Sequence, residues 1–174
     1  MSSSSSSERH PPAYAGGSDP IQEMITKLTT LDPQPRPAYT DAHLIAYPVE
    51  YIAGIDLYNA GEFHAAHDAW EDRWMGEVGP QEKLFLQAMI QSAVAFHHLQ
   101  IGRPGAARQM HLRSREKFEK LGQTVFMSLD IPDYLAQLER ALSWLRDAPN
   151  PRDLVQPDIT PPTIRLISEV TDFD

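Results

Sequence analysis

Residues 81–101 read QEKLFLQAMIQSAVAFHHLQI. At about 100° per residue, Leu86, Met89, Ile90, Ala93, Phe96 and His97 make one broad arc of a helix, and Gln87, Gln91, Val94 and His98 a second, narrower strip. A helix apolar almost all round has neighbours on several sides. This stretch is therefore read as the central member of an all-α bundle, with Gln87, Gln91 and His98 buried and in need of partners.

Upstream, residues 61–76 read GEFHAAHDAWEDRWMG. On one short helix, His64, His67, Asp68 and Glu71 fall within roughly a third of the turn, and Phe63, Ala66, Trp70 and Trp74 form an adjoining apolar arc. A polar site thus shares an edge with the core. Before it, Pro48 opens a helix in which Val49, Ile52, Ile55 and Tyr58 recur at three and bury one face, with Asn59 or Gly61 supplying the left-handed end. Downstream, Gly102 ends the central helix and Arg103-Pro104 starts the next at once, predicting an antiparallel hairpin. Ala107, Met110, His111, Ser114, Phe118 and Leu121 share its inward stripe to Gly122. Asp130 with Asp133 predicts an N-cap, and Leu135, Leu138, Leu142 and Leu145 carry a last helix to about Arg146.

The ends are different in character. Residues 1–19, MSSSSSSERHPPAYAGGSD, are too poor in apolar side chains to offset their own ordering entropy and are read as a disordered leader. PIQEMITKLTTL, residues 20–31, predicts a short amphipathic helix, and the prolines of DPQPRPAY after it an extended linker. From residue 149 the chain is proline-rich and extended, with Leu154, Ile159, Ile164 and Leu166 placed to pin it. No strand-period segment is long enough for a sheet. The expected organisation is a leader (1–19), a single antiparallel bundle of about five helices (20–148) and an extended tail (149–174).

Composition narrows the function. A formal net charge of −9, with no sequence cluster of Lys and Arg, argues against a nucleic-acid partner. The absence of cysteine removes disulfides, thiolate zinc sites and cysteine nucleophiles, so a metal would be held by His, Asp, Glu or water. No window has the length of a membrane span, and the N-terminus lacks a secretory apolar core, so a cytoplasmic protein without a membrane partner is expected. A homo-oligomer and an unidentified small-molecule or protein partner stay open.

These residues resemble a prokaryotic family, domain of unknown function family 309. Its helical His-x-x-x-Glu-x-x-Trp/Tyr motif is matched by His67, Glu71 and Trp74, and its Asn-x-Gly-Glu-Phe pattern by Asn59, Gly61, Glu62 and Phe63. Leu86, Gln87, Ile90, Gln91, His98 and Gly102 match its later pattern, so the resemblance spans about residues 48–145. It implies a small helical bundle with a metal site at the His/Glu motif, and no activity. Two departures stand out: His64-Ala65 replaces the family's common aromatic-Glu, and Gly102-Arg103 its Gly-Asn.

Two readings of the chemistry remain. In the first, His67 and Glu71, about 6 Å apart at i and i+4, reach one ion that a facing His98 completes, with His64 as a fourth ligand. One divalent zinc, iron or manganese with a water position would suit a metal-assisted hydrolase of a small molecule, His64 or Asp68 moving the proton. In the second, the protein is a non-catalytic helical interaction module. Its polar residues form a packing network, Gln87 and Gln91 cross-linking Glu71 and His98, with Trp74 at its edge. Trp70 and Trp74 are otherwise read as core, Asp68 and Asp72 as solvated, and His97 and His111 as partly buried spacers. The HExxH zinc-protease pattern, the paired Glu-x-x-His of di-iron bundles, a Gly-rich phosphate loop and a serine elbow are all absent.

Overall fold

The structure is a computed structural model and describes residues 19–29, 36–150 and 153–173, without the side chains of residues 25–29. The expected leader, apart from Asp19, lies outside the described residues. Contacts divide the chain into two units, Met1–Pro35 and Arg36–Asp174. The first contains helix α1, Pro20–Thr29, where the Asp19 carboxylate accepts a hydrogen bond from the Ile21 N–H at 3.0 Å.

The second unit is an all-α bundle. Its helices are α2 (Asp41–Ala46), α3 (Val49–Asn59), α4 (Phe63–Trp74), α5 (Pro80–Gln100), α6 (Pro104–Leu121) and α7 (Ile131–Arg146). Consecutive long helices pack on one another from α3 to α7. Gly61 and Gly102, at φ +80° and +71°, turn the chain between helices in the left-handed region that disfavours a side chain. Gly122, at φ +66°, closes α6 in the same way.

Helix α5 is the central element its sequence predicts. Phe85, Leu86, Ala88, Met89, Ala93 and Phe96 are buried to 1% exposure or less. The core beneath α4 and α5 is aromatic: Phe63 stacks on Phe96 with centroids 5.1 Å apart, and Tyr58 meets Phe63 edge-on at 5.0 Å. Gly54 of α3 lets the Trp70 ring lie against the α3 backbone, and Trp70 Nε1 donates to Tyr51 O at 3.1 Å. Hydroxyls inside this core are paired: Ser92 Oγ lies 2.7 Å from Tyr134 Oη, which donates to Tyr58 Oη at 3.0 Å.

Several expectations need correction. Val49 is 76% exposed and does not join the buried face of α3, which starts with Tyr51 and Ile52, at 0% and 5% exposure; Val49 is the first residue of the helix, at its edge. Helix α2 stands after the expected linker (32–39) and before the helix expected from Pro48, where no element was expected; Thr40 N donates to His43 Nδ1 at 2.9 Å, and His43 is fully buried. A small antiparallel hairpin, β1 (Val125–Phe126) and β2 (Leu129–Asp130), stands where no sheet was expected. Its turn residues Met127 and Ser128 have φ +46° and +59°, a conformation usually left to Asn-Gly or Asp-Gly. Tertiary hydrogen bonds hold it: Tyr51 Oη donates to Met127 O at 3.1 Å, and Ser128 N donates to Thr171 Oγ1 at 2.9 Å.

The C-terminal segment is extended and attached. Ile164 is 1% exposed, within the core, with Leu154, Ile159 and Leu166 packed against it. Asn59 grips its backbone twice, accepting from Ile164 N at 2.8 Å and donating to Ile164 O at 2.9 Å. The predicted N-cap of α7 is present, Asp130 Oδ1 accepting from Asp133 N at 3.0 Å.

Candidate metal centre

The site begins with the registry of α4. Phe63, Ala66 and Trp70 face inward, so the i, i+3, i+4 set His64, His67 and Asp68 emerges along the boundary between core and solvent. Stacking of Phe63 on Phe96 anchors the first turn of α4 to the last third of α5. At the same level Gln100 Nε2 donates to Gly61 O at 2.9 Å, tying the start of α4 to the end of α5.

Asp68 is the hub. Its Oδ1 lies 2.8 Å from His67 Nδ1 and its Oδ2 lies 3.2 Å from His64 Nδ1. One ligand atom from each of His64, His67 and Asp68 can be chosen so that all lie within 4.8 Å of one another, the one such group among the described residues. His64 is 63% exposed and Asp68 57%, whereas His67 is 23% exposed. The group is therefore open to solvent on one side and supported by helix on the other. It lies at the surface, where the sequence reading had pointed the tips into the interior.

The other candidates take separate places. Glu71 is half exposed, its Oε2 lying 3.7 Å from His67 Nε2, a distance for ionic attraction and too long for a hydrogen bond. His98 is beside His97, with ring centroids 6.2 Å apart, and neither Glu71 nor His98 belongs to the three-residue group. Burial first, then the neighbouring His97 and the Arg103 guanidinium, lowers the His98 pKa below its ordinary value. His97 meets His64 edge-on at 4.9 Å, so four imidazoles run along the α4/α5 seam.

Gln87 is half-buried. Gln91 Oε1, His98 Nδ1 and Trp74 Nε1 are buried without a hydrogen-bond partner among the described residues. Trp70 is fully buried as expected, while Trp74 is partly buried beneath the Lys83 ammonium, 4.9 Å from its ring centroid. His111, expected to be a partly buried spacer, is 1% exposed, and neither ring nitrogen has a hydrogen-bond partner among the described residues.

Two features escaped the sequence reading. Asp68 reads as solvated or proton-transferring, although at i+4 from His64 it can reach that imidazole. The position of α4 on α5 is set by Arg73 and Glu82, an ion pair across a turn that no local spacing signals.

Chemically, two imidazoles and a carboxylate fit a borderline or hard divalent cation such as zinc, iron or manganese. Residues 51–110 match the family described as Domain of unknown function (DUF309), so the resemblance read from the motif residues holds over the stretch from α3 into α6. No curated protein matches the chain. Among the described residues no helix is long and apolar enough to cross a membrane.

Proposed function

We propose that this chain, with the pattern of that family of unknown function across α3 to α6, binds one divalent metal ion at His64, His67 and Asp68. Glu71 is held in reserve beside His67. The reading rests on one observation: the three donor groups lie on successive positions of one helical face, with their ligand atoms within 4.8 Å of one another. A bound zinc, iron or manganese would act as a Lewis acid that lowers the pKa of a coordinated water. The reaction class that fits is hydrolysis of a small molecule. Glu71, half exposed next to His67, is the group placed to accept a proton.

Metal analysis of the full chain, purified without a metal-affinity column, tests this. Near-stoichiometric zinc, iron or manganese is expected, lost in His67→Ala and in Asp68→Ala. Metal-free protein that shows no saturable uptake of these ions, with a melting temperature indifferent to them, would overturn the proposal.

A second reading, a non-catalytic helical interaction module, draws on a different observation. Leu44, Ile45 and Val49, close together in sequence on α2 and the start of α3, are 52%, 88% and 76% exposed. Large apolar side chains exposed together mark surfaces for protein contact. Concentration-dependent sedimentation that Ile45→Glu abolishes, in protein that takes up no metal, would favour it.

A further inference from the structure

A second cleft lies away from the imidazoles, of about 480 Å³, between the start of α7, the β2 strand and the C-terminal segment. Arg36, Arg140 and Arg165 line it, the first more than a hundred residues from the other two. All three are exposed, and in a chain of net charge −9 they make the rim of this cleft a locally basic surface. None of the three has an ion-pair partner among the described residues, whereas Arg73, Arg115 and Arg146 each pair with a carboxylate. The acids at the rim are otherwise engaged: Asp130 accepts from Asp133 N, and Asp133 Oδ2 accepts from Gln137 Nε2 at 2.8 Å.

The walls are tied in place. Thr163 N donates to Gln137 Oε1 at 3.1 Å, fastening the C-terminal segment to α7 beside Arg140. Leu166 N donates to Ala38 O at 2.7 Å, bringing the segment that bears Arg165 alongside the one that bears Arg36. Ile167 N donates to Ser128 O at 2.8 Å at the hairpin turn. Three guanidinium groups, each a planar fork of donors, are thus carried by separate anchored segments around a volume within the range of small-molecule sites.

We propose that this cleft binds a compact phosphate dianion, either free phosphate or the phosphate of a small monoester. A tetrahedral dianion offers three or more acceptor oxygens to three forks at once, the arrangement in which charge-assisted bonds are strongest. An extended polycarboxylate would bring further negative charge against Asp130 and Asp133 at the rim. The carboxylates also exclude a polyanionic strand, in keeping with the acidic balance of the whole chain.

Calorimetric titration of the chelator-treated full chain at fixed ionic strength tests this, with inorganic phosphate, glycerol phosphate and citrate as separate probes. Saturable one-to-one binding of phosphate or glycerol phosphate is expected, and the tighter of the two identifies the source. Arg140→Gln and Arg165→Gln should each weaken it by about tenfold or more, with circular dichroism unchanged. Arg113→Gln, an exposed α6 arginine outside the cleft, should leave it as it is. The proposal is overturned if neither phosphate probe saturates, if citrate alone does, or if Arg113→Gln weakens binding as much as the cleft variants.

Discussion

Arg73 grips Glu82 with two hydrogen bonds, Nε to Oε1 at 2.7 Å and Nη2 to Oε2 at 3.1 Å, across the turn between α4 and α5. Glu82 is 3% exposed, so the carboxylate has no water to fall back on. The Glu82 hydrogen bond raises the Arg73 pKa further, against the opposing effect of burial. The bridge fixes the far end of the helix whose near end carries the imidazoles.

Removing one partner leaves the other charge stranded. Arg73→Met should therefore cost about 3 kcal/mol of stability in urea denaturation, and Arg73→Met with Glu82→Leu much less, since an apolar pair leaves no buried charge. A single variant within about 0.5 kcal/mol of the parent would show that water reaches Glu82 after all.

Gly54 is required by its neighbour, not by its backbone. A Cβ built there falls inside the Trp70 indole. Gly54→Ala should cost about 3 kcal/mol or more, the upper end for overpacking, because a fully buried Trp70 cannot retreat. Gly105→Ala, where an added Cβ meets nothing within 4 Å, should be neutral or slightly stabilising. Thermal melts of the two variants separate these outcomes; equal melting temperatures would contradict the packing described for α3 and α4.

His111 gives a pH dependence with a definite sign. Burial, reinforced by Arg115 and Arg146 and opposed by Glu139, pushes its pKa from 6.5 to about 4. The unfolded chain binds a proton between these values that the folded chain refuses. Stability from this residue is therefore whole above about pH 6.5 and falls as pH drops toward 4, by roughly 3 kcal/mol in all, at about 1.4 kcal/mol per unit. Subtracting the denaturation curve of His111→Phe from the parent's across this range isolates the effect. A difference that stays flat would mean that the imidazole titrates normally.

The C-terminal segment contributes to the bundle through Asn59 and Ile164. Asn59→Ala loses both backbone hydrogen bonds and should cost about 1 to 2 kcal/mol. Ile164→Ala empties a core position and should cost about 3 kcal/mol. Limited proteolysis reads the same event directly: cleavage after Arg165 should quicken in both variants. Unchanged cleavage would show that the segment is held elsewhere.

The parts legible in sequence share a property: the residues involved are neighbours along one helix. The periodicity of 81–101 announced α5 as central, and Gly61, Gly102 and Gly122 marked the helix ends. His64, His67 and Asp68 face one way because spacing of three and four fixes that on any helix. Apart from the role of Asp68, what was missed had no local signal. Met127 and Ser128 carry no turn signature, and their positive φ is sustained by Tyr51 and Thr171, far away in the chain. His43 looks like any polar residue until its burial is seen, whereas His111 lay on the inward stripe of α6 and only the degree of its burial was new.

By itself, then, the sequence determined the helices, their order and the gathering of donor groups on α4, since those follow from rotation per residue and the cost of exposing apolar faces. Only the tertiary structure decided that the imidazoles stand at the solvent edge of the α4/α5 seam, that Arg73 meets Glu82, and that Arg36, Arg140 and Arg165 share a cleft. Those relationships depend on how distant segments dock. Docking is set by the summed fit of the whole core, which spacing along the chain does not encode.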